Sequence, residues 1–464
     1  MEMIQLPQEG DNGRDARPMS PQQRLIVGLL LGANFMLSAD FSILNVALPE
    51  VSQAVGMSVH HYPWIATAFA LPAAGLALLF GHLGDLYGLR RMFIIGMALL
   101  AAASILGGIA TEPTLLLAAR ALQGISTAMT GPSALALLIS AFPDDRQRAR
   151  VLGLNGALLS GGFTFGALAG GMLVGVLSWR WSFFINVPIA LAILFITPLC
   201  HCRRQSAQGR QPGSARRGDR YAGQIAIVYG FTELSLITFV LGAALLALFF
   251  WIERNAPSPL VAMDMLAWPS VRWGNVAILV IFAMESGLIY LVTIYLQEVL
   301  RLGPLATGLV FGVPGFASIV AGIYAGRLIG RRGARPVLLV AMLVQAGLTA
   351  PLVLLGADFY QSMWILIPSL LIGFFGHITA VVAATVAATT GIPEASKGLA
   401  SGVMTTSQRV ASTIGIPALA AVMAMRPDIL EGIRLSLVVD VVLTVVAVAL
   451  IAMGLRTRQI AAAQ

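Results

Sequence analysis

The feature that most constrains this chain is a series of long apolar runs, each near the length that crosses a lipid bilayer. A transmembrane helix needs about 20 mainly apolar residues. Twelve such runs are separated by short loops, at residues 25–49, 62–83, 91–110, 114–141, 149–177, 181–199, 274–299, 305–329, 335–356, 361–388, 398–425 and 432–455. Only 11% of the residues are charged, against about a quarter in soluble proteins. This excludes a soluble enzyme, a disordered scaffold and a nucleic-acid-binding domain, and predicts an all-α polytopic membrane protein.

Basic residues occupy alternate loops between these runs. The net charge of +8 comes from 29 basic residues, mostly Arg, which include Arg90, Arg91, Arg146, Arg148, Arg150, Arg203, Arg331, Arg332 and Arg335. Short loops rich in Arg stay on the cytoplasmic side. We therefore expect a multi-pass protein of a bacterial cytoplasmic (inner) membrane whose tails, 1–24 and 456–464, are both cytoplasmic. The excess of Arg over Lys, with Lys397 as the only lysine, is typical of a GC-rich bacterial genome.

A repeated turn divides the chain into two halves. GHLGDLYGLRR at 81–91 follows the second run of the first half, and GRLIGRRGAR at 326–335 follows the second run of the second half. We predict a six-helix bundle over 25–199, a basic cytoplasmic loop over 200–221 and a second six-helix bundle over 274–455. Two parallel halves are typical of transporters, with the substrate site between them near the midplane.

One further apolar stretch, 222–252, lies between the halves. Both ends should be cytoplasmic, so the stretch must cross the membrane twice or not at all. It has 31 residues, whereas two full crossings need about 40. Within 222–273 we predict a shortened hydrophobic hairpin and a linker. Two alternatives stay open, that 222–252 inserts only partly into the membrane or that it lies outside the bundle.

Four motifs in this order resemble the major facilitator superfamily, specifically its 14-helix drug:proton antiporter branch. The first run reads DFSILNVALP at 40–49, and the turn at 81–91 is similar to the superfamily's loop motif. The fourth run contains Arg-x-x-Gln-Gly at 120–124, and the sixth begins WSFFINVP at 181–188. The resemblance implies the major facilitator fold and multidrug efflux, with consequences for antibiotic resistance.

The fifth run departs from the branch's pattern. Gly162, Gly166 and Gly170 keep the helical spacing that permits close helix contact, but Ala167 stands where the branch has a proline. A dedicated metabolite exporter, or a proton symporter of the same fold, therefore stays open as an alternative. A membrane sensor that has lost transport is a third reading, which the retained buried charges disfavour.

The candidate proton-coupling residues are charges within the apolar runs, where an unneeded charge is costly. Asp40 and Arg120 lie at similar depths, roughly 13 and 10 Å from the outer ends of their runs at about 1.5 Å per residue. We expect them to pair, directly or through Gln123, with Asp40 taking up the proton. Glu285 lies in the middle of its run, where burial favours the neutral form. A carboxyl that holds either a proton or an organic cation suits antiport.

Further polar residues are assigned to two roles. The predicted substrate-binding residues are Asn34, Asn45, Gln123, Asn155, Glu285, Gln345, His377 and Arg409. The predicted conformational-switch residues, which latch the cytoplasmic end or allow close helix contact, are Gly81, Gly84, Asp85, Gly88, Arg90, Arg91, Gly162, Gly166 and Gly170. Gln297 and Glu298 are read as interfacial, and Asp440 as a shallow charge near a helix end.

These features predict proton-coupled efflux of amphipathic drugs or toxic compounds, with cationic ones favoured, by alternating access. We expect a transporter and not an enzyme. An ATP-driven pump is not expected, because the sequence has no nucleotide-binding motif of the G-x-x-x-x-G-K-[ST] type. The expected partners are the small-molecule substrate, protons and the lipid bilayer, with no nucleic acid, and the protein is expected to be a monomer. No cofactor is expected beyond the proton gradient. No metal is expected, since Cys200, His201 and Cys202 are too few for a zinc site.

Overall fold

The computed structural model describes residues 21–142, 145–197, 267–392 and 394–455. In the first half it contains α1 (Pro21–Ala54), α2 (Pro63–Gly75), α3 (Ala77–Tyr87), α4 (Leu89–Gly108), α5 (Pro113–Ala141), α6 (Asp145–Met172), α7 (Trp181–Phe184) and α8 (Asn186–Ile196). In the second half it contains α9 (Pro269–Ile294), α10 (Pro304–Arg332), α11 (Ala334–Thr349), α12 (Phe359–Thr389), α13 (Glu394–Met423) and α14 (Ile429–Gly454).

Several of these helices join into longer rods. Leu76 between α2 and α3, and Ile185 between α7 and α8, keep helical backbone angles, so each pair continues as one rod. In the described part, six rods therefore form each half, and eight helices are long and apolar enough to cross a membrane by length and composition. The predicted all-α polytopic membrane fold is confirmed.

Four predicted segments fall wholly or mostly outside the described residues. The basic loop 200–221 and the apolar stretch 222–252 lie between residues 197 and 267, where the structure describes nothing. The tail 456–464 and most of the tail 1–24 are likewise outside, although α1 begins at Pro21, four residues before the predicted run. The shortened hairpin and the domain boundaries around it stay predictions.

The same helix pairings recur in both halves. In the first half α1 packs on α6, α4 on α5, and α2 on α5; in the second α9 packs on α13, α11 on α12, and α10 on α12. The repeated turn also recurs, because Gly88 between α3 and α4 and Gly333 between α10 and α11 both have positive φ, +101° and +81°. Residues with a side chain rarely adopt this conformation. We call the end of the bundle with these two turns the basic end.

The halves meet along two helix pairs, α6 with α10 and α2 with α13. At the end away from the basic turns, which we call the opposite end, α1 also contacts α9. There Gln297 Nε2 donates to the Val46 carbonyl oxygen at 2.8 Å, and Gln53 Nε2 donates to Glu298 Oε1 at 3.0 Å. Gln297 and Glu298, read from the sequence as interfacial, thus also join the two halves. These contacts close the opposite end of the bundle.

The contact between α6 and α10 depends on the absence of side chains. A Cβ on Gly308 would press on the backbone oxygen of Ala167 and on Gly171, whereas a Cβ on Gly326, also in α10, would meet nothing within 4 Å. Gly308→Ala should therefore lower the melting temperature in detergent by several degrees, since overpacking costs about 1–3 kcal/mol. The matched control Gly326→Ala should leave the melting temperature equal or raise it slightly. Equal effects of the two variants in thermal unfolding would contradict this close packing.

Candidate functional site

The first half buries one cluster of charged and polar side chains, which we call the Asp40 cluster: Asp40, Arg120, Gln123 and Asn186. Asp40 on α1 and Arg120 on α5 form an ion pair, with Arg120 Nη1 3.4 Å from Asp40 Oδ2. Both residues are 1% exposed. Asn186, the first residue of α8, donates from Nδ2 to the other carboxylate oxygen of Asp40. Helices from three places in the sequence thus meet at one carboxylate.

Arg120 is held by several further groups. Its Nη1 donates to Gln123 Oε1 at 2.7 Å, its Nε donates to the Ile65 carbonyl oxygen at 3.3 Å, and its guanidinium carbon lies 4.3 Å from the ring centre of Phe69. Gln123 Nε2 in turn donates to Ser104 Oγ at 3.0 Å. The predicted pairing of Asp40 with Arg120 is present as a direct contact, and Gln123 accepts a further hydrogen bond from Arg120. The role of this pair in proton coupling remains a prediction.

Asn186 was not among the predicted site residues. The sequence carried a signal for it, because an Asn inside the apolar run that begins at Trp181 is unusual and belongs to the motif at 181–188. What the sequence lacks is the packing of α8 beside α1, which brings the Asn186 amide to Asp40.

The second half buries a different cluster, which we call the Glu285 cluster: Glu285, Gln345, His377 and Asp440. His377 Nδ1 on α12 lies 3.5 Å from Glu285 Oε2 on α9, and Gln345 Nε2 on α11 donates to the same oxygen at 3.4 Å. The ring of Phe282 packs edge-on against His377 with centroids 5.4 Å apart. Glu285, Gln345 and His377 were predicted as separate candidates, and the fold brings them together.

The Glu285 cluster is incompletely hydrogen-bonded. Glu285 Oε1, Gln345 Oε1 and Asp440 Oδ2 are buried and have no hydrogen-bond partner among the described residues. Within that same part of the chain, no Arg or Lys forms a salt bridge with Glu285. Buried polar atoms are normally satisfied. The free oxygens of the Glu285 cluster can therefore accept a proton, or a hydrogen bond from a ligand. The Asp40 carboxylate already accepts hydrogen bonds from Arg120 and Asn186.

The prediction for Asp440 is wrong. Asp440 is not a shallow charge at a helix end but lies near the middle of α14 (Ile429–Gly454), where it is 3% exposed. Thr444 Oγ1 approaches Asp440 Oδ1 at 3.5 Å, and the carboxyl is near enough to Glu285 for the two to repel if both are ionised. The sequence could not show that α14 turns this face towards α9 and α11, on which it packs.

The remaining predicted binding residues lie in three separate places. Asn34 Nδ2 donates to Asn155 Oδ1 at 2.8 Å, so this pair links α1 to α6. Asn45 Nδ2 donates to the Phe41 carbonyl oxygen of its own helix at 3.1 Å, an intrahelical contact. Arg409 on α13 faces α5, where a Cβ on Gly131 would lie 3.0 Å from Arg409 Nη2.

The predicted switch residues in the first basic turn line the contact of α3 with α4 and α5. A Cβ on Gly81 would lie 3.8 Å from Pro132, and one on Gly84 would be 3.6 Å from Ser133 Oγ. Arg90 Nη2 donates to the Thr197 carbonyl oxygen at 3.2 Å, which ties α4 to the end of α8. Arg91 is exposed, Gly88 has the positive φ given above, and the Asp85 side chain lies outside what the structure describes.

The three glycines of α6 that were predicted as switch residues face α1. Cβ atoms on Gly162, Gly166 and Gly170 would press on the α1 backbone at Phe35, Ala39 and Ile43 respectively. The close helix contact expected from their spacing is present, although Ala167 replaces the branch's proline. The part of these glycines in conformational switching stays a prediction.

Comparison with known proteins agrees with this geometry. Residues 30–416 match the family model of the Major Facilitator Superfamily. The puromycin resistance protein pur8 of Streptomyces alboniger is 34% identical over 84% of this chain and 79% of its own length. The multidrug resistance protein Stp of Mycobacterium tuberculosis (strain CDC 1551 / Oshkosh) is 32% identical over 84% of this chain and 74% of its own length.

A solved structure shares the fold. The crystal structure of the human organic anion transporter MFSD10 (TETRAN) superimposes with a TM-score of 0.65 at 17% sequence identity, covering 93% of this chain and 100% of that one. At this identity the likeness concerns the fold alone. The family model and the relatives carry the assignment further: the chain belongs to the major facilitator superfamily and is a multi-pass membrane transporter, not an enzyme.

Proposed function

We propose that this transporter exports amphipathic drugs or other toxic compounds across the bacterial inner membrane in exchange for protons. The observation that carries the proposal is the pair of buried carboxyl clusters, one in each half. Resistance proteins against puromycin and against multiple drugs, both about a third identical to this chain, support drugs as the substrate class. A monomer suffices, because each half of a single chain supplies one cluster.

The closed end of the bundle is assigned to the outside. The turns at Gly88 and Gly333 carry the Arg residues, and loops rich in Arg remain cytoplasmic. Both termini are then cytoplasmic, and the contacts of Gln53 and Gln297 with the other half seal the outer end. In alternating access this arrangement is the state that receives substrate from the cytoplasmic side.

Proton uptake at Asp40 would act on the packing of the first half. The ionised carboxylate accepts from Arg120 and Asn186, and so links α1 to α5 and α8. Protonation removes the charge that compensates Arg120, and breaking a buried pair costs about 3–5 kcal/mol. We expect this cost to be relieved by a rearrangement of α1 against α5, which couples a proton taken up from the outside to the return from the outward-open to the inward-open state.

Glu285 is the better placed carboxyl for the substrate itself. Its Oε1 has no partner among the described residues, so a cationic group of a drug can donate to it. A proton that binds Glu285 from the outside would displace the cation, with His377 and Gln345 able to hydrogen-bond either form. Competition between cation and proton at one carboxyl gives antiport without any contact between the two ligands.

The alternative of a dedicated metabolite exporter or proton symporter shares this fold and differs in coupling. In reconstituted vesicles an antiporter moves substrate against an inward proton flux, whereas a symporter moves both in one direction. The relatives' resistance names favour the exporter of drugs.

The role of Asp40 is tested by Asp40→Asn, which keeps the size of the side chain and removes its charge. Efflux of ethidium driven by an imposed pH gradient in proteoliposomes should fall at least about tenfold, equivalent to about 1.4 kcal/mol, while ethidium counterflow without a gradient persists. Asp428→Asn, at the exposed first position before α14, is the matched control and should behave as wild type. Full gradient-driven efflux by Asp40→Asn would remove Asp40 from the coupling.

The role of Glu285 is tested by resistance profiling of a drug-susceptible strain that expresses Glu285→Gln. Resistance to cationic compounds should be lost, because a neutral amide attracts a cation far less than a carboxylate, and resistance to uncharged compounds should be reduced less. Glu431→Gln, in the exposed first turn of α14, removes a carboxylate elsewhere and should change neither. Unchanged resistance to every cation, at equal expression, is the outcome against a substrate contact by Glu285.

A further inference from the structure

Helix α13 presents a polar face that the Asp40 and Glu285 clusters do not use. Thr405, Gln408, Arg409 and Ser412 follow the three- and four-residue spacing of one helix face. Thr405 and Gln408 are exposed, and Arg409 and Ser412 are partly exposed. A polar helix face at membrane depth lines a water-filled cavity or protein, not lipid.

The direction of this face is given by its neighbours. The α13 helix packs on α9 and α14 within its own half and on α2 of the other half. Thr413 Oγ1 reaches the Ala70 carbonyl oxygen of α2 at 3.2 Å, and Arg409 turns towards Gly131 of α5. The Arg409 guanidinium therefore lies between the two halves, where the proposed function places the substrate cavity.

Arg409 has no protein counter-charge in the described part of the chain. No acidic side chain there forms a salt bridge with it, and its guanidinium donates no hydrogen bond to a described residue. Arg120, by contrast, donates to Asp40, Gln123 and Ile65. An Arg at membrane depth is costly without compensation, which points to a ligand that supplies the negative charge.

Arg409 is also well separated from Glu285 along the helix axes. Helices α9 and α13 run parallel, because Asn275 meets Ser407 at one level and Gly287 meets Leu419 at another. Arg409 then lies nearer the basic end than Glu285 by about eight residues, or roughly 12 Å at about 1.5 Å per residue. The two charges are therefore too far apart to neutralise each other.

We propose that Arg409 is an anion-binding subsite of this cavity, which takes a carboxylate or an equivalent acidic group of the transported compound. The planar guanidinium presents paired donors that match a carboxylate. Glycine at position 131 leaves the opposite wall of the subsite without a side chain. The inference rests on the proposed export function and extends its substrate class from cations to compounds that also carry an acidic group.

The test compares two dyes that differ only in one acidic group, rhodamine B, which has a free carboxylate, and its ethyl ester. Their affinities for the purified full-length protein are measured by fluorescence anisotropy with wild type, Arg409→Gln and Arg409→Lys. Arg409→Gln should lower the ratio of acid to ester affinity at least tenfold, and Arg409→Lys should retain part of it because the charge remains. Arg426→Gln, in an exposed turn at the opposite end, removes the same charge elsewhere and should leave the ratio unchanged.

Three results would overturn the proposal. The first is an equal loss of acid and ester affinity in Arg409→Gln, which indicates a structural role only. The second is an affinity of that variant for both dyes equal to that of wild type, and the third is no saturable binding of the acid to wild type. Failure of the export function itself is seen separately, as an absence of gradient-driven ethidium efflux by wild type. An exporter with active efflux but no dependence of the ratio on Arg409 would refute this inference alone.

Discussion

Within the bilayer no water compensates a charged side chain, so the rest of the structure follows from how its buried charges are paired. A charged side chain at the bilayer centre costs about 2.5–3.5 kcal/mol even on insertion scales, so each buried ionisable group needs a partner or a use. In the first half Asp40 and Arg120 provide each other's compensation, and Asn186 and Gln123 complete it. In the second half Glu285 and Asp440 lack such a cation among the described residues.

In the proposed mechanism, this difference gives the two halves different roles despite their common helix pairings. A satisfied ion pair ties three helices of the first half together, and we propose that a change in its protonation changes their packing. An under-satisfied carboxyl cluster instead leaves acceptors for a ligand. The contacts of Gln53 and Gln297 with the other half and the glycine contact between α6 and α10 are the surfaces over which the halves move in the proposed alternating access. Substrate binding is thus proposed for the Glu285 cluster, proton coupling for the Asp40 cluster, and movement for the contacts between the halves.

The linear sequence predicted the features that depend on local pattern. Apolar runs gave the helices to within a few residues, and the repeated glycines gave the turns at Gly88 and Gly333. The pairing of Asp40 with Arg120 followed from their similar depths in helices that, in the family fold, both face the central cavity. Features that depend on which helix faces meet were beyond reach. Neither the Asn186 amide at Asp40 nor the approach of Asp440 to Glu285 can be read without knowing the neighbours of α8 and α14.

In the proposed mechanism, substrate and proton compete for a buried carboxyl. The most direct measurement is the affinity of purified wild-type protein for ethidium as a function of pH, together with the protons released on binding in a weakly buffered solution. The account predicts that the dissociation constant falls as pH rises, by up to about tenfold per pH unit for one proton, and that binding releases protons. An affinity independent of pH, with no proton release, would contradict it.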